Sequence, residues 1–229
     1  MSCILNIDTS TDVCSVAVSD GGACIFTEED HKGPNHNEQI GRMVDAALSF
    51  AESHAIPLDA VAISSGPGSY TGLRIGTSMA KGVCYGRDVK LVAVPTLELL
   101  CVPVLLREQV EEGALLCPMI DARRMEVYAS IYDKSLSTVR ETQADIVDSD
   151  TYREYLDKHP VYFFGNGAAK CMDAISHPNA RLIEGIRPMA SSMFPLAERC
   201  MAMEKFEDVA YFVPFYLKDF VAKTPKKLI

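Results

Sequence analysis

The stretch AVAISSGPGSYTGLRIG, residues 60–76, contains the strongest structural signals in this chain. Its apolar start predicts a short buried strand, and the Gly-Pro-Gly run at 66–68 predicts a sharp turn into a helix over about 70–86. Glycine suits such a turn because it adopts positive φ angles without a steric penalty. Ser69 or Thr71 is expected to cap the helix, whose first N–H groups would otherwise attract an anion. The turn is therefore either a packing surface, which we favour, or a phosphate site.

The helix over 70–86 carries small residues at a regular spacing. Gly72 and Gly76 lie four positions apart and share one helix face, and Ala80 continues that face. A face without side chains lets another backbone approach closely. That second backbone is either the chain's own first long helix or another polypeptide, and the sequence leaves both open.

The composition is that of an ordinary globular protein and lacks a broad basic footprint for nucleic acid. Apolar residues make up 48% and charged residues 23% of the 229 residues, enough to bury a core. The formal net charge of −9 excludes a broad basic surface for nucleic acid. We expect the tail to be a solubilising, frayed terminus. It carries four lysines: Lys218, Lys223, Lys226 and Lys227.

The chain is expected to be cytoplasmic. Its eight cysteines never form a C-x-x-C pair, and several lie within apolar runs, which is typical of free buried thiols in a reducing compartment. Polar Asn6 and Asp8 interrupt the apolar start, so no secretory signal peptide is predicted. No apolar run approaches the roughly 18 residues that a membrane-spanning helix needs.

Hydrophobic periodicity predicts alternating strands and helices in the first half. The predicted strands span residues 3–7, 14–18, 23–27, 60–64 and 91–94, and the predicted helices span 37–54, 70–86 and 96–111. The first helix has an apolar stripe at helical spacing, formed by Ile40, Met43, Val44, Ala47, Leu48 and Ala51. The order β-β-β-α-β-α-β-α is typical of an α/β fold with a mixed sheet.

The second half of the chain begins like the first. Residues 120–131 can be laid on residues 7–18, since each segment reads as a strand, an aspartate, a short polar turn and a second strand. The later predicted elements are a helix at 149–158, a strand at 161–164, a helix at 168–176, a strand at 181–184 and a helix at 191–203. We therefore predict two similar lobes, 1–110 and 111–229, facing each other across a cleft with Asp8 and Asp121 at its lips.

Several motifs resemble the bacterial TsaB family, also called YeaZ. The run 66–76 is similar to that family's signature. Further matches are Ile7-Asp8-Thr9-Ser10, His36-Asn37-Glu38, Gly165-Asn166-Gly167 and Pro214-Phe215-Tyr216-Leu217. The resemblance implies the two-lobed actin/Hsp70/sugar-kinase-like (ASKHA) fold, with a duplicated mixed β-sheet flanked by helices.

The same resemblance implies a function and a set of partners. It implies a non-catalytic subunit required for threonylcarbamoylation of adenosine, at position 37 of tRNAs that read codons beginning with A. In that family the subunit works with the catalytic sibling TsaD and the ATPase TsaE, and TsaC supplies threonylcarbamoyl-AMP.

Metal catalysis is not expected from this chain. The family's catalytic sibling holds a metal with two histidines four positions apart on the first long helix, where one ion reaches both imidazoles. Here His36 takes the first place and Ile40 the second, so no metal site is predicted. We expect His36 to be a capping or surface residue. Ser69 lacks the G-x-S-x-G elbow of a nucleophile, which leaves a helix cap as its expected role.

The resemblance also implies a vestigial nucleotide cleft. In ATP-using members of the fold, an aspartate turn in each lobe handles the phosphates and Mg²⁺, and a glycine turn covers the adenosine. The corresponding residues here are Asp8, Thr9, Ser10, Asp121, Gly165, Asn166 and Gly167. The second turn departs from the pattern because it contains Arg123 and Arg124, which we expect to form ion pairs with Asp8 or Asp12. We expect no cofactor beyond weak binding of an adenine nucleotide.

The two long helices are the partner surface that the resemblance implies. Two helices from each protomer would form a four-helix interface, used with TsaD and, when TsaD is absent, in a homodimer. The expected interface residues are Ile40, Met43, Val44, Ala47, Leu48, Gly72, Leu73, Gly76, Met79, Ala80 and Val83. TsaE is expected in the same complex, tRNA is reached only through that complex, and no membrane is involved.

Two other classes of function stay open on the sequence. One is an ATPase or small-molecule kinase of the same fold, which tight Mg-ATP binding lost in Asp8→Ala would favour. The other is a metal-dependent glycopeptidase-like hydrolase, which one bound iron or zinc per chain would favour.

Overall fold

Each half of the chain folds around its own five-stranded mixed sheet. The computed structural model describes residues 2–33 and 35–218. The first half contains β1 (Ile4–Asp8), β2 (Cys14–Asp20), β3 (Ala23–Asp30), α1 (His36–Ser53), β4 (Ala60–Ser64), α2 (Tyr70–Arg87), β5 (Lys90–Val94) and α3 (Thr96–Arg107). The second half contains β6 (Leu115–Asp121), β7 (Glu126–Tyr132), β8 (Thr138–Ile146), α4 (Arg153–Leu156), β9 (Val161–Phe164), β10 (Ala180–Ile183) and α5 (Phe194–Ala202).

The two sheets have the same strand order. The first runs β3-β2-β1-β4-β5, and the second, read in the equivalent direction, runs β8-β7-β6-β9-β10. In each sheet the two strands on one side of the centre pair antiparallel, and the two on the other side pair parallel. The predicted duplicated mixed sheet is therefore confirmed.

An aspartate ends the central strand of each sheet. Asp8 lies opposite Ser15, seven positions later, and Asp121 lies opposite Val127, six positions later. The second turn is therefore one residue shorter than the first. The predicted superposition of 7–18 on 120–131 therefore holds for β1 on β6, and β2 and β7 are out of register by one residue.

The helices of the second half are shorter than predicted. The expected helix over 149–158 is reduced to α4, because Asp148 and Thr151 bond to each other and to nearby backbone and hold the preceding segment in a turn. The expected helix over 168–176 contains a short 3-10 turn at Ala169–Cys171. Strand β8 was not predicted, since its largely polar side chains lie on an exposed sheet edge without a continuous apolar run.

The last helix returns to the first sheet. Three residues of the segment 193–197 join a buried cluster with the strands of the first lobe; the cluster includes Met193, Leu196 and Ala197 with Ile4, Ala60, Ala62, Val92 and Val94. The N–H of Ala190 also donates to the hydroxyl of Ser15 over 2.9 Å. The predicted lobe boundary at residue 110 stays a prediction, and the segment 190–197 packs on the first sheet.

Residues 206–218, the C-terminal segment, connect the two lobes. The N–H of Glu207 donates to the carbonyl of Leu91 over 2.9 Å, and that of Phe215 donates to the carbonyl of Ser65 over 2.7 Å. Lys218 then forms an ion pair with Glu126 of the second lobe. The expectation of a frayed tail is therefore wrong for Lys218, because this contact fixes it. The other tail lysines lie outside the described residues: Lys223, Lys226 and Lys227.

All eight cysteines are free thiols, as the absence of C-x-x-C pairs predicts, and six of them are buried. Burial raises the pKa of the buried thiols; the pKa of Cys3 and that of Cys84 rise to about 11. No helix in the described part of the chain is long and apolar enough to cross a membrane.

Candidate functional site

The glycine turn and helix α2 cover the aspartate turn of the first lobe. The N–H of Ser69 donates to the carbonyl of Ser10 over 2.7 Å, and the hydroxyl of Thr9 donates to the carbonyl of Gly72 over 2.8 Å. A methyl group at Gly72 would lie well under 3.0 Å from the Thr9 carbonyl oxygen. A methyl group at Gly68 would also lie under 3.0 Å from a backbone oxygen, the Ser10 carbonyl. The glycines are therefore required for close contact between α2 and residues 9–10.

The sequence left open what the small-residue face of α2 packs against, and the contact with residues 9–10 answers that question. Gly76 faces the side chains of Thr9 and Ile63, and Ala80 belongs to the buried core of the first lobe. The small-residue face of α2 thus packs neither mainly on α1 nor on a second polypeptide. It packs on the chain's own aspartate turn and sheet. Ser69 caps the helix, as predicted, by accepting from the N–H of Gly72 over 3.2 Å.

Most of the expected interface residues lie inside the first lobe. Eight of the eleven are buried: Ile40, Met43, Val44, Ala47, Gly72, Leu73, Gly76 and Ala80. Seven of these positions face only the core, so this fold does not present them to a partner, and the prediction is corrected for those seven. Ile40 also lines the groove between α1 and α2, and for it the interface stays a prediction. Leu48, Met79 and Val83 are half-buried at the edge of that core, and for them the interface stays a prediction.

An apolar groove lies between α1 and α2. Its cavity volume is about 470 Å³, and it is lined by Asn37, Ile40, Arg74, Ile75, Ser78, Met79 and Gly82. Gly82 and, on α1, Gly41 are exposed, and a methyl group at either would meet nothing within 4 Å. A glycine inside an exposed helix destabilises it by roughly 0.5–1 kcal/mol relative to alanine, and no internal packing explains these two. Like Gly86 at the end of α2, they are helix positions without a side chain that are open to another molecule, and neither was among the expected interface residues.

Asp8 is fully buried beneath this cover. Its carboxylate accepts from the hydroxyl of Ser10 over 3.0 and 3.2 Å and from the N–H of Ser10 over 3.2 Å. Removal from water raises the pKa of Asp8 to about 6, and the Ser10 hydrogen bonds only partly offset that rise. The turn of the expected vestigial nucleotide cleft thus has the carboxylate of Asp8 and the hydroxyls of Thr9 and Ser10 occupied internally.

Replacing Asp8 by asparagine is expected to stabilise the protein at neutral pH. The pKa of Asp8 rises from 3.8 to about 6 on folding, so the folded state binds the proton more tightly than the unfolded state. Stability is therefore lost as the pH rises through this window, on the order of 2–3 kcal/mol in total. Asp8→Asn escapes this loss, so urea unfolding should show a gain of that size at pH 7 and little difference near about pH 3.5. A gain of equal size at both pH values would contradict this account.

The second aspartate turn is occupied by a lysine that sequence reasoning missed. The Lys170 ammonium pairs with the carboxylate of Asp121 and donates to the carbonyls of Arg124 and Glu126 over 2.6 and 2.7 Å. A cation thus already neutralises the acidic group of this turn. The spacing of Lys170, 49 positions after Asp121, offers no local signal.

The Gly165-Asn166-Gly167 motif is a packing turn on the same site. Asn166 accepts from the N–H of Asp121 over 3.0 Å. A methyl group at Gly165 would meet the Met119 carbonyl oxygen, and one at Gly167 would meet the backbone of Asp121, each at under 3.0 Å. Gly66 and Gly165 both have positive φ, +104° and +97°, two residues after the end of β4 and one residue after the end of β9. The glycine turns are therefore repeated along with the sheets.

The arginines of the second turn do not pair as expected. Asp12 forms its ion pair with Arg187, over 3.2 Å. Within residues 2–33 and 35–218, neither Arg123 nor Arg124 forms an ion pair with Asp8 or Asp12, because both arginines lie on an exposed turn and Asp8 is buried.

His36 is buried rather than a cap or a surface residue, so that expectation is wrong. Its Nε2 donates to the carbonyl of Thr11 over 2.8 Å, which ties α1 to the aspartate turn. Ile40 packs one helical turn later. In the described residues no three histidine, cysteine, aspartate or glutamate side chains lie close enough together to share a metal ion.

The comparisons with known proteins agree with this architecture. A family model described as TsaD, tRNA N6-adenosine threonylcarbamoyltransferase, matches residues 31–226. The TsaB protein of Escherichia coli, named for tRNA threonylcarbamoyladenosine biosynthesis, is 29% identical over 98% of this chain and 99% of its own length.

Two solved structures from Pseudomonas aeruginosa have the same fold. One is YeaZ, with a TM-score of 0.75, and the other is described as similar to peptidase YeaZ, with a TM-score of 0.80. Both are 23% identical to this chain and cover 95% of it and 100% of their own length. The predicted two-lobed actin-like fold and the TsaB resemblance are confirmed. The chain belongs to the family described as TsaD, tRNA N6-adenosine threonylcarbamoyltransferase, and within it to the TsaB (YeaZ) group.

Proposed function

We propose that this chain serves the biosynthesis of threonylcarbamoyladenosine in tRNA as a non-catalytic subunit that holds TsaD in its working conformation. One observation carries the proposal: the aspartate turn of each lobe is closed by the chain's own groups. The glycine turn and α2 cover Asp8 and Thr9, and Lys170 occupies Asp121.

Because both aspartate turns are closed, few free donor groups and few carboxylate oxygens are left to bind a nucleotide and its Mg²⁺. Triphosphate binding in such a fold needs free N–H groups and hydroxyls, and Mg²⁺ needs accessible carboxylate oxygens. In the first turn the Ser10 hydroxyl and N–H already bond to Asp8, which is fully buried. In the second turn an ammonium stands where a metal-bound phosphate would approach. We therefore propose weak adenine-nucleotide binding at most, and tight Mg-ATP binding that is lost in Asp8→Ala would favour the ATPase alternative instead.

The groove between α1 and α2 is the surface we assign to TsaD. Its exposed Gly82 lets a helix approach closely, and half-buried Ile75 and Met79 offer apolar contact. Exposed Gly41 follows the lining residue Ile40 on α1. The TsaD family model matches this chain over most of its length, so TsaD is expected to present an equivalent helix pair to the groove. The same face would pair two copies of this chain when TsaD is absent.

Substituting Gly82 by leucine is expected to abolish the pairing with TsaD. The leucine side chain enters open space in the free chain, so folding is spared, but it fills the position where the partner helix must approach. Purified chain and TsaD should co-elute on size exclusion for the wild type and elute separately for Gly82→Leu and for Gly41→Leu.

A matched control uses Ser149→Leu, the same side chain at an exposed loop position of the second lobe. This variant should co-elute with TsaD as the wild type does. Undiminished co-elution of Gly82→Leu and Gly41→Leu, with both variants folded, would rule out this groove as the TsaD surface.

TsaE and tRNA complete the proposed assembly. The net charge of −9 places most of the RNA contact on the partners, because phosphate binding requires clustered arginine and lysine.

A further inference from the structure

We propose that the β6–β7 turn, residues 121–126, contacts the phosphate backbone of tRNA through Arg123 and Arg124 once this chain is assembled with its partners. The inference rests on the proposed function, since it names a contact of the same complex with its substrate RNA. It concerns a surface on the second lobe, away from the α1–α2 groove.

The backbone of this turn is unusual for the residues that occupy it. Arg123 has φ of +73° and Arg124 has φ of +51°. Side chains other than glycine, asparagine and aspartate rarely adopt such left-handed conformations, which cost roughly 1–2 kcal/mol for each residue. Two in succession at exposed positions are a local strain that, within the described chain, the arginine side chains do not offset by any packing contact, which makes the turn a candidate functional site.

Four hydrogen bonds hold the turn in this conformation. The N–H of Arg123 donates to the Asp121 carboxylate over 2.9 Å, and the N–H of Ala122 donates to the Glu126 carbonyl over 3.1 Å. The N–H of Glu126 donates to the Arg123 carbonyl over 3.1 Å, and the Lys170 ammonium donates to the Arg124 carbonyl. The turn is therefore braced from within before any ligand arrives, which lowers the ordering cost of binding.

The turn carries uncompensated positive charge in an acidic protein. Four cationic side chains surround it, Arg123, Arg124, Lys170 and Lys218, against two carboxylates, Asp121 and Glu126, which leaves two positive charges. The two lysines are the ones that pair with those carboxylates. Within the described residues neither arginine side chain has an ion pair or a hydrogen bond.

Guanidinium groups with these properties fit a phosphate backbone. Each presents a planar set of donors that binds phosphate oxygens in pairs. Two such groups add two phosphate contacts, enough to orient an RNA but too few to hold one against the overall negative charge. The contact is therefore expected to matter in the assembled complex and to be weak in the isolated chain.

The test replaces both arginines by glycine, which relieves the left-handed backbone and removes the guanidinium groups. The complex of this chain with TsaD and TsaE is titrated with tRNA at several salt concentrations. Arg123→Gly/Arg124→Gly should weaken binding by about tenfold per arginine at low salt and lower the salt slope by about two. The thermal midpoint should stay within a few degrees of the wild type. The Lys158→Ala/Arg107→Ala control removes the same charge from exposed positions elsewhere and should leave affinity unchanged.

Three results would overturn the inference. Unchanged tRNA affinity and salt slope in the glycine variant would remove the contact. Binding of Mg-ATP or inorganic phosphate that the glycine variant loses, with tRNA binding intact, would assign the turn to a small phosphate ligand. Loss of co-elution with TsaD, with tRNA binding intact, would make the turn a protein contact. Because co-elution depends on the α1–α2 groove, the RNA contact can fail while the proposed subunit role stands.

Discussion

Gly72→Ala is expected to destabilise the first lobe severely. The added methyl group would lie well under 3.0 Å from the Thr9 carbonyl oxygen, a distance that real Cβ atoms do not show. Thr9 cannot retreat, because its hydroxyl bonds to the Gly72 carbonyl and the next residue accepts from Ser69. Backbone against backbone in a buried site leaves no flexible side chain to move, so we expect a loss of more than about 3 kcal/mol.

The matched comparison is Gly82→Ala on the same helix. A methyl group there meets nothing within 4 Å, and alanine favours helix over glycine by about 0.8–1 kcal/mol. Urea or thermal unfolding should therefore show one glycine variant severely destabilised and the other slightly stabilised. Similar midpoints for the two variants would mean that α2 does not press on the Thr9 turn.

This pair of variants also changes how a partner test should be designed. From the sequence, Gly76→Leu is the obvious way to block a partner helix. In the structure Gly76 faces Thr9 and Ile63, so leucine there would disrupt the core before it could report on any partner. Gly82 is the position on α2 where bulk blocks an approach without damage to the fold.

Local pattern was sufficient to predict the first sheet, most of the second sheet and the long helices, but not strand β8. Strands β4 and β9 lie within the predicted bounds because each is a short apolar run ended by a serine or a glycine turn. The apolar stripe of α1 is buried at the predicted spacing, and the repeated strand-aspartate-turn-strand segments form the two sheet centres. The signal is strong wherever neighbouring residues alone decide the element.

Packing between distant segments could not be predicted in the same way. Gly72 and Thr9 are 63 positions apart, so no residue near Gly72 in the sequence indicates which segment the small-residue face of α2 packs against. Lys170 and Asp121 pose the same difficulty. One available signal was overlooked: Gly-x-Gly follows a buried strand at 66–68 and again at 165–167, which indicates equivalent turns in the two lobes.

One pair of variants distinguishes a role in holding TsaD from catalysis at the aspartate turns of this chain. Asp8→Asn/Asp121→Asn removes both carboxylates of the aspartate turns but leaves the α1–α2 groove intact. Gly82→Leu changes the groove and leaves both carboxylates intact. If the chain acts by holding TsaD, the first variant should behave as the wild type and the second should be inactive.

The decisive measurement is threonylcarbamoylation of tRNA reconstituted from TsaC, TsaD, TsaE and this chain. The account predicts modification close to the wild-type level with Asp8→Asn/Asp121→Asn, and a loss with Gly82→Leu as large as that from omitting the chain. Full modification with Gly82→Leu together with loss in the carboxylate variant would contradict it.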